Sequence, residues 1–173
     1  MTTGDVFIDV GASIGGYPIR LGTLGRVFAF EPAPRNFELL RSNVLNHLRT
    51  VDMLRACVCD RSGPVKLYVS NFHDRHSMVG QGEYLSVVGV TLDSVLGKLE
   101  RPVQILKVDV DGSELFVLRG AEQTLRRCRF VVVENKEPAK SEIREFLMTR
   151  GFDYVTRHEL NDMFVNVSNL QSP

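Results

Sequence analysis

Val6-Phe7-Ile8-Asp9-Val10-Gly11-Ala12-Ser13-Ile14-Gly15-Gly16 joins an apolar run to a glycine-rich turn from which a helix can start. Val6 to Val10 are apolar except for Asp9, the pattern of a parallel strand buried on both faces. Ligands of open α/β sheets bind beyond the carboxyl ends of such strands, and Asp9 lies near that end. Gly11 and Gly15 let the backbone turn tightly and approach a ligand closely. The stretch reads as a cofactor cradle.

The glycine spacing bears on which ligand. A dinucleotide fingerprint places glycine where this chain has Ser13, so that the main chain can meet a pyrophosphate. Here the spacing is D-x-G-x-x-x-G. Asp9 would repel a pyrophosphate yet attract the ammonium of an amino-acid moiety, and S-adenosylmethionine has that shape and charge. The competing reading is a plain strand-to-helix turn with a capping aspartate. A second strand, Arg26 to Glu31, ends in an acid 20 residues after Gly11, followed by Pro32. An acid at that distance accepts hydrogen bonds from ribose hydroxyls, and it serves a methyl donor and a nicotinamide cofactor alike.

Three segments carry a resemblance. FIDVGASIGGYPIRLG (Phe7 to Gly22), VFAFEPAPRNFELLRSNVLN (Val27 to Asn46) and LKVDVDGSELFVLRGAEQTL (Leu106 to Leu125) are similar to the FkbM family of S-adenosylmethionine-dependent methyltransferases. Shorter echoes are CDRSG at Cys59, VTLDSVL at Val90 and VVVEN at Val131, all in the family's order. The resemblance implies a Rossmann-like class I methyltransferase: a mostly parallel seven-stranded α/β sheet in the order 3-2-1-4-5-7-6, its last strand antiparallel, with helices on both faces. It also implies S-adenosyl-L-methionine as cofactor and S-adenosyl-L-homocysteine as product. Cofactor contacts are then expected at Asp9, Gly11, Ala12, Ser13, Gly15, Glu31, Pro32, Cys57, Asp60 and Asp109. At Asp111 the family more often carries glutamate.

The chain has 173 residues, the length of one domain spanning 1–173, with 21 acidic and 21 basic residues. Zero net charge gives no long-range field to draw in nucleic acid or an anionic membrane. Three cysteines without a CxxC pair, no secretory signal and no long apolar run read as a soluble cytoplasmic protein, and nothing supplies metal ligands at zinc spacing. Cys57 and Cys59 lie two apart on one strand face.

Along the chain, strands and helices alternate. A short helix is expected near residues 14–24, and an amphipathic one over 34–48, with Phe37, Leu40, Val44 and Leu48 inward and Arg35, Glu38, Arg41 and Arg49 in water. A strand within 51–59, a turn at 60–64 and a strand over 65–70 follow. The region around 60–91 is expected as an extra hairpin or loop, polar over 71–86, with a strand at 87–90. A helix over 91–98 is capped by Thr91. Strand 103–110, helix 114–127, strand 129–134, helix 139–150 ended by Gly151, and strands 152–157 and 163–167 complete the pattern, with 168–173 frayed. Tyr154 and Phe164 suggest an antiparallel closing hairpin.

The chemistry needs alignment of an acceptor with the methyl group, and a base if the acceptor is a hydroxyl. Asp109 follows Lys107 on one face of its strand, at the end bordering the methyl group. His76 and His73 from the polar loop, or Asp109 itself, are the candidate bases, with Glu134 and Lys136 secondary. Asp111 either caps the helix at 114 in a box with Glu114 or contacts the acceptor. The histidines have a second reading as solvated loop residues. The expected acceptor is a small molecule or glycan, a hydroxyl on a sugar or polyketide-like compound, with neither nucleic acid nor membrane as partner. A nicotinamide-dependent oxidoreductase and a non-catalytic nucleoside-binding module are the alternatives. Because the first strand starts within about five residues of Met1, the acceptor site is expected to be open to a large substrate, completed by a partner, or curtailed in a fragment.

Overall fold

The computed structural model describes residues 4–46, 51–69, 76–138 and 141–169. Its elements are β1 (Val6–Val10), α1 (Gly16–Leu21), β2 (Arg26–Phe30), α2 (Pro34–Leu45), β3 (Val51–Leu54), β4 (Cys57–Val58), β5 (Gly63–Val69), β6 (His76–Ser77) and β7 (Tyr84–Val90). Then come α3 (Leu92–Leu96), β8 (Val103–Val108), α4 (Glu114–Arg119), α5 (Glu122–Arg127), β9 (Cys128–Glu134), α6 (Glu142–Met148), β10 (Phe152–His158) and β11 (Asn161–Asn166).

The main sheet has seven strands in the order β3-β2-β1-β8-β9-β11-β10. Counted within that sheet this is 3-2-1-4-5-7-6, as expected, and β11 runs antiparallel to both its neighbours. Tyr154 faces Phe164 across the closing hairpin, ring edge to ring face at 5.7 Å. All five residues of β1 are buried because both sheet faces are covered. On one face Ile8, Phe30, Leu106, Leu118, Leu125 and Phe164 form the larger core; on the other Ala12, Ala29, Leu40 and Val44 pack beneath α2. Arg35, Glu38 and Arg41 on α2 face solvent as the periodicity requires, while Leu48 and Arg49 lie outside the described residues.

A second sheet, β4-β7-β5-β6, occupies the region expected as a hairpin. It packs on Phe116 of α4 through Cys57, Cys59, Val65, Met78 and Val87. The strand expected at 87–90 starts earlier, at Tyr84, because β5 supplies partners for the polar-looking residues before it. Tyr84 pairs with Tyr68, and Lys66 lies 4.4 Å over the Tyr84 ring.

The helix expected over 114–127 is two helices. At Gly120 a Cβ would run into the Cys59 carbonyl, so the chain turns there against the second sheet. Asp93 of α3 then caps α5, its carboxylate accepting from the backbone of Gln123 at 2.9 Å and of Thr124 at 2.8 Å. Thr91 caps α3 as expected, accepting from Ser94. The helix expected from Ala139 starts at Glu142 with Ser141 as cap; residues 139–140 and 170–173 are outside the described set. Val167–Asn169 form a short 3-10 turn. Among the described residues no helix is long and apolar enough to cross a membrane.

Candidate active site

The carboxyl ends of β2, β1 and β8 are adjacent, which brings Glu31, the Gly11 to Gly15 loop and Asp109 into one row. Gly11 (φ +83°) and Gly15 (φ +100°) are left-handed, and so is Ser13 at +49°. The close approach that glycine permits here is first an internal one. A Cβ on Gly11 would run into the Asp109 carbonyl, and one on Gly15 would sit 2.9 Å from the Leu40 side chain. The loop is thereby pressed between β8 and α2.

Glu31 is 5% exposed and is held by the chain itself. Its two oxygens accept from the backbone N–H groups of Ser13 and Ala33, each at 2.9 Å, and the Asn36 side chain adds a third bond. Burial pushes its carboxyl up to about 7 against those donors. A carboxylate offers about four lone-pair sites, so acceptor capacity is left for a ligand hydroxyl.

A cleft of about 540 Å³, counting its open mouth, lies above this row. Of the residues singled out from the sequence, Gly11, Ser13, Glu31, Pro32, Cys57, His76, Asp109 and Asp111 line it. Asn36, Met78 and Ser113 line it as well and were not anticipated. Ala12 and Gly15 belong to the loop but not to the cleft wall, and Asp60 points instead to Arg61 at 3.1 Å. His73 lies outside the described residues. The Cys57 thiol is buried and pushed up to about 12, so it lines the wall without nucleophilic character.

Asp9 departs most from expectation. It is 1% exposed, lines neither cleft, and meets an ammonium group of the chain's own: Lys107 Nζ stands 3.3 Å from Asp9 Oδ1. The same Nζ is 3.3 Å from Asp109 Oδ2. Burial works against the charged lysine, but Asp9 and Asp109 outweigh it and hold the Lys107 pKa above its ordinary value. The signal was in the sequence, a lone base in a largely apolar strand two residues before Asp109. Its partner was not, because Asp9 is 98 positions away.

Asp111 is not the helix cap. It and Gly112 are left-handed, at φ +53° and +98°, which places Ser113 at the N-cap position and turns the Asp111 carboxylate to Lys136, 2.8 Å away. Glu114 does reach back as a capping box requires, accepting from Val110 and Gly112 at 3.1 Å each. Ser113 Oγ is hydrogen-bonded to Ser77 Oγ at 3.1 Å and accepts from the Met78 N–H at 3.1 Å. That contact seats β6, and with it His76, on the wall of the cleft.

A second, more open hollow continues past Gly11 and Ser13, lined by Asp109, Asp111, Glu134, Lys136 and Leu160. Lys136 also contacts Glu134 at 3.2 Å, and burial raises the Glu134 carboxyl. The end of β9 and the residues after it, which carry both, are anchored through Asn135, whose side chain donates to fully buried Asp162 at 2.7 Å. Arg144 and Arg157 hold the same carboxylate.

A model of one family, described as the methyltransferase FkbM domain, matches residues 9–154. The chain belongs to the FkbM methyltransferase family. This family is S-adenosylmethionine-dependent. The family member is 34% identical over 134 residues to the hexuronic acid methyltransferase AglP of Haloferax volcanii, covering 75% of this chain and 55% of that protein. It therefore spans about half the length of that relative. It is 30% identical to the 31-O-demethyl-FK506 methyltransferase FkbM of Streptomyces tacrolimicus, over 90% of this chain and 75% of that one. Among solved structures, an rRNA methylase from Streptococcus thermophilus superposes with a TM-score of 0.60 at 10% identity, over 96% of this chain and 89% of that one. Aeropyrum pernix fibrillarin with bound S-adenosyl-L-methionine gives 0.59 at 16% identity, over 96% and 67%. These likenesses place the FkbM domain in the class I methyltransferase fold.

Proposed function

We propose that this FkbM-family chain transfers a methyl group from S-adenosylmethionine to a hydroxyl of a sugar, glycan or polyketide-like small molecule. The observation that carries the reading is the row of Glu31, the Gly11 to Ser13 loop and Asp109 across three adjacent strand ends, with His76 on the wall of the same cleft. The residues fit the cofactor. Glu31 keeps acceptor capacity for ribose hydroxyls, and Asp109 presents an accessible carboxylate to a cationic group. When bound, S-adenosylmethionine supplies an electrophilic methyl group with a neutral leaving group.

The chain's own share is alignment and one proton. His76, seated by the Ser77–Ser113 contact, accepts the proton of the acceptor hydroxyl, while Asp109 and Asp111 border the approach from the open hollow. Holding the hydroxyl and the methyl group in line supplies most of the acceleration, and the base contributes about a hundredfold to ten-thousandfold. AglP is named for a hexuronic acid, a sugar bearing both hydroxyls and a carboxylate, and the Streptomyces FkbM for a 31-O-demethyl compound; the first name supports a sugar acceptor and the second a methylated oxygen.

The test is calorimetric titration of the chain with S-adenosylhomocysteine and with NAD, followed by transfer of labelled methyl to a panel of glycosides and polyketide alcohols. Binding of the first ligand alone, with a labelled ether product, is expected. NAD binding would reinstate the oxidoreductase reading, and S-adenosylhomocysteine binding without any product would leave a nucleoside-binding module. His76→Ala should lower the transfer rate by about 10²–10⁴ with S-adenosylhomocysteine affinity unchanged.

A further inference from the structure

Two carboxylates and one ammonium stand in line where β1 and β8 end. Asp9 and Lys107 occupy paired positions on the two strands, and Lys107 and Asp109 share a face of the chain that continues β8. Lys107 Nζ is 3.3 Å from Asp9 Oδ1 and 3.3 Å from Asp109 Oδ2. The Tyr17 ring closes over the ammonium at 4.8 Å. Asp9 is 1% exposed and Lys107 6%, so these two are committed to each other, since an unpaired ion in the interior is strongly unfavourable. The Asp109 side chain, 40% exposed, is the part of the trio that reaches the clefts, and it lines both.

Charge then decides what faces the ligand. The trio sums to one negative charge, and its accessible carboxylate is Asp109. One strand, β1, lies between those that carry Asp109 and Glu31, so the two are two strand spacings apart, roughly 10 Å. A nucleoside carrying a short amino-acid arm bridges such a span with its ribose at one end and its ammonium at the other. We propose that Lys107 is a positioning residue: it neutralises Asp9 and fixes Asp109 as the carboxylate that receives the α-ammonium group of the cofactor's amino-acid arm. Asp9, the residue whose place in the glycine turn first suggests that role, is occupied by the chain's own lysine. The proposal rests on the S-adenosylmethionine reading above.

The experiment compares two ligands by calorimetry. S-adenosylhomocysteine has the arm, and 5′-methylthioadenosine keeps the nucleoside and thioether without it. Asp109→Asn, and separately Lys107→Met combined with Asp9→Asn to avoid stranding a buried charge, should each weaken S-adenosylhomocysteine at least about tenfold while 5′-methylthioadenosine stays within about twofold. A merely structural role would loosen the site for both ligands alike. Equal losses for the two ligands, or unchanged S-adenosylhomocysteine affinity, would overturn the proposal while leaving the cofactor reading in place. A wild-type chain that binds neither ligand would overturn both. If circular dichroism shows the double variant unfolded, the Asp109→Asn comparison decides.

Discussion

Glu31 is tied into the fold by the same carboxylate that is proposed to meet the ligand. Its carboxylate is oriented before any ligand arrives, because Ser13 and Ala33 donate to it from two different loops. Removing it in Glu31→Ala should weaken S-adenosylhomocysteine by about 1–3 kcal/mol, the worth of charge-assisted hydrogen bonds, and calorimetry reads this directly. The same residue predicts pH dependence. Its carboxyl titrates near 7 when folded against 4.5 as a free side chain, so the folded state holds the proton longer. Its contribution to stability is full below 4.5 and is lost as pH rises through about 7, a fall of about 3 kcal/mol for the ligand-free chain. Urea unfolding at pH 5 and pH 8 measures it, and equal stability at the two would remove Glu31 as the source. On the proposed function ligand binding runs the other way: an ionised Glu31 would accept from both ribose and backbone better than a protonated one, so S-adenosylhomocysteine affinity should rise from pH 6 to 8. The place of Glu31 at the cleft was legible from its distance to Gly11; its anchors were not, since backbone donors leave no mark in side-chain identity.

Between elements, the interruption at Gly120 matters more than either helix it separates. A single amphipathic run from Glu114 to Arg127 satisfies the periodicity, and nothing local forbids it. The second sheet forbids it by placing the Cys59 carbonyl where a side chain would go, and Asp93 supplies from α3 the cap that α5 lacks in its own sequence. Asp93→Ala should therefore cost about 1–2 kcal/mol by thermal unfolding, the upper range for a helix cap, although Asp93 lies about 30 positions away from that helix. Ser113 is a second joint. Ser113→Ala releases β6 at Ser77 and Met78 and is expected to lower methyl transfer through a displaced His76, with cofactor affinity intact in the same calorimetric assay. The stretch Tyr84 to Ser86 reads as the end of a loop for a related reason: its strand character comes from cross-strand partners in β5.

For the whole molecule, strand order is what converts a list of acids into a site. Asp162 illustrates the dependence: buried under Arg144, Arg157 and Asn135, it ties the closing hairpin to the end of β9 and the residues after it, which bear Glu134 and Lys136. Burial alone would raise its carboxyl, but the Arg144 hydrogen bond and its companions outweigh that and lower it. Asp162→Ala strands two guanidinium groups and should cost about 3–5 kcal/mol in urea unfolding, and a loss under 1 kcal/mol would contradict a structural role. The amino-acid sequence by itself determined the cradle after β1, the alternation of strands and helices, the acid at the end of β2 and membership in a recognisable family. These follow from local rules, in which apolar period reports burial and glycine reports a turn. Only the tertiary structure decided that Lys107 occupies Asp9, that Asp111 meets Lys136 and not a helix end, and that Ser77 beside His76 meets Ser113 at the cleft. Each of those is a contact between residues distant along the chain, and such contacts depend on which strands become neighbours, a quantity that no local pattern of residues encodes.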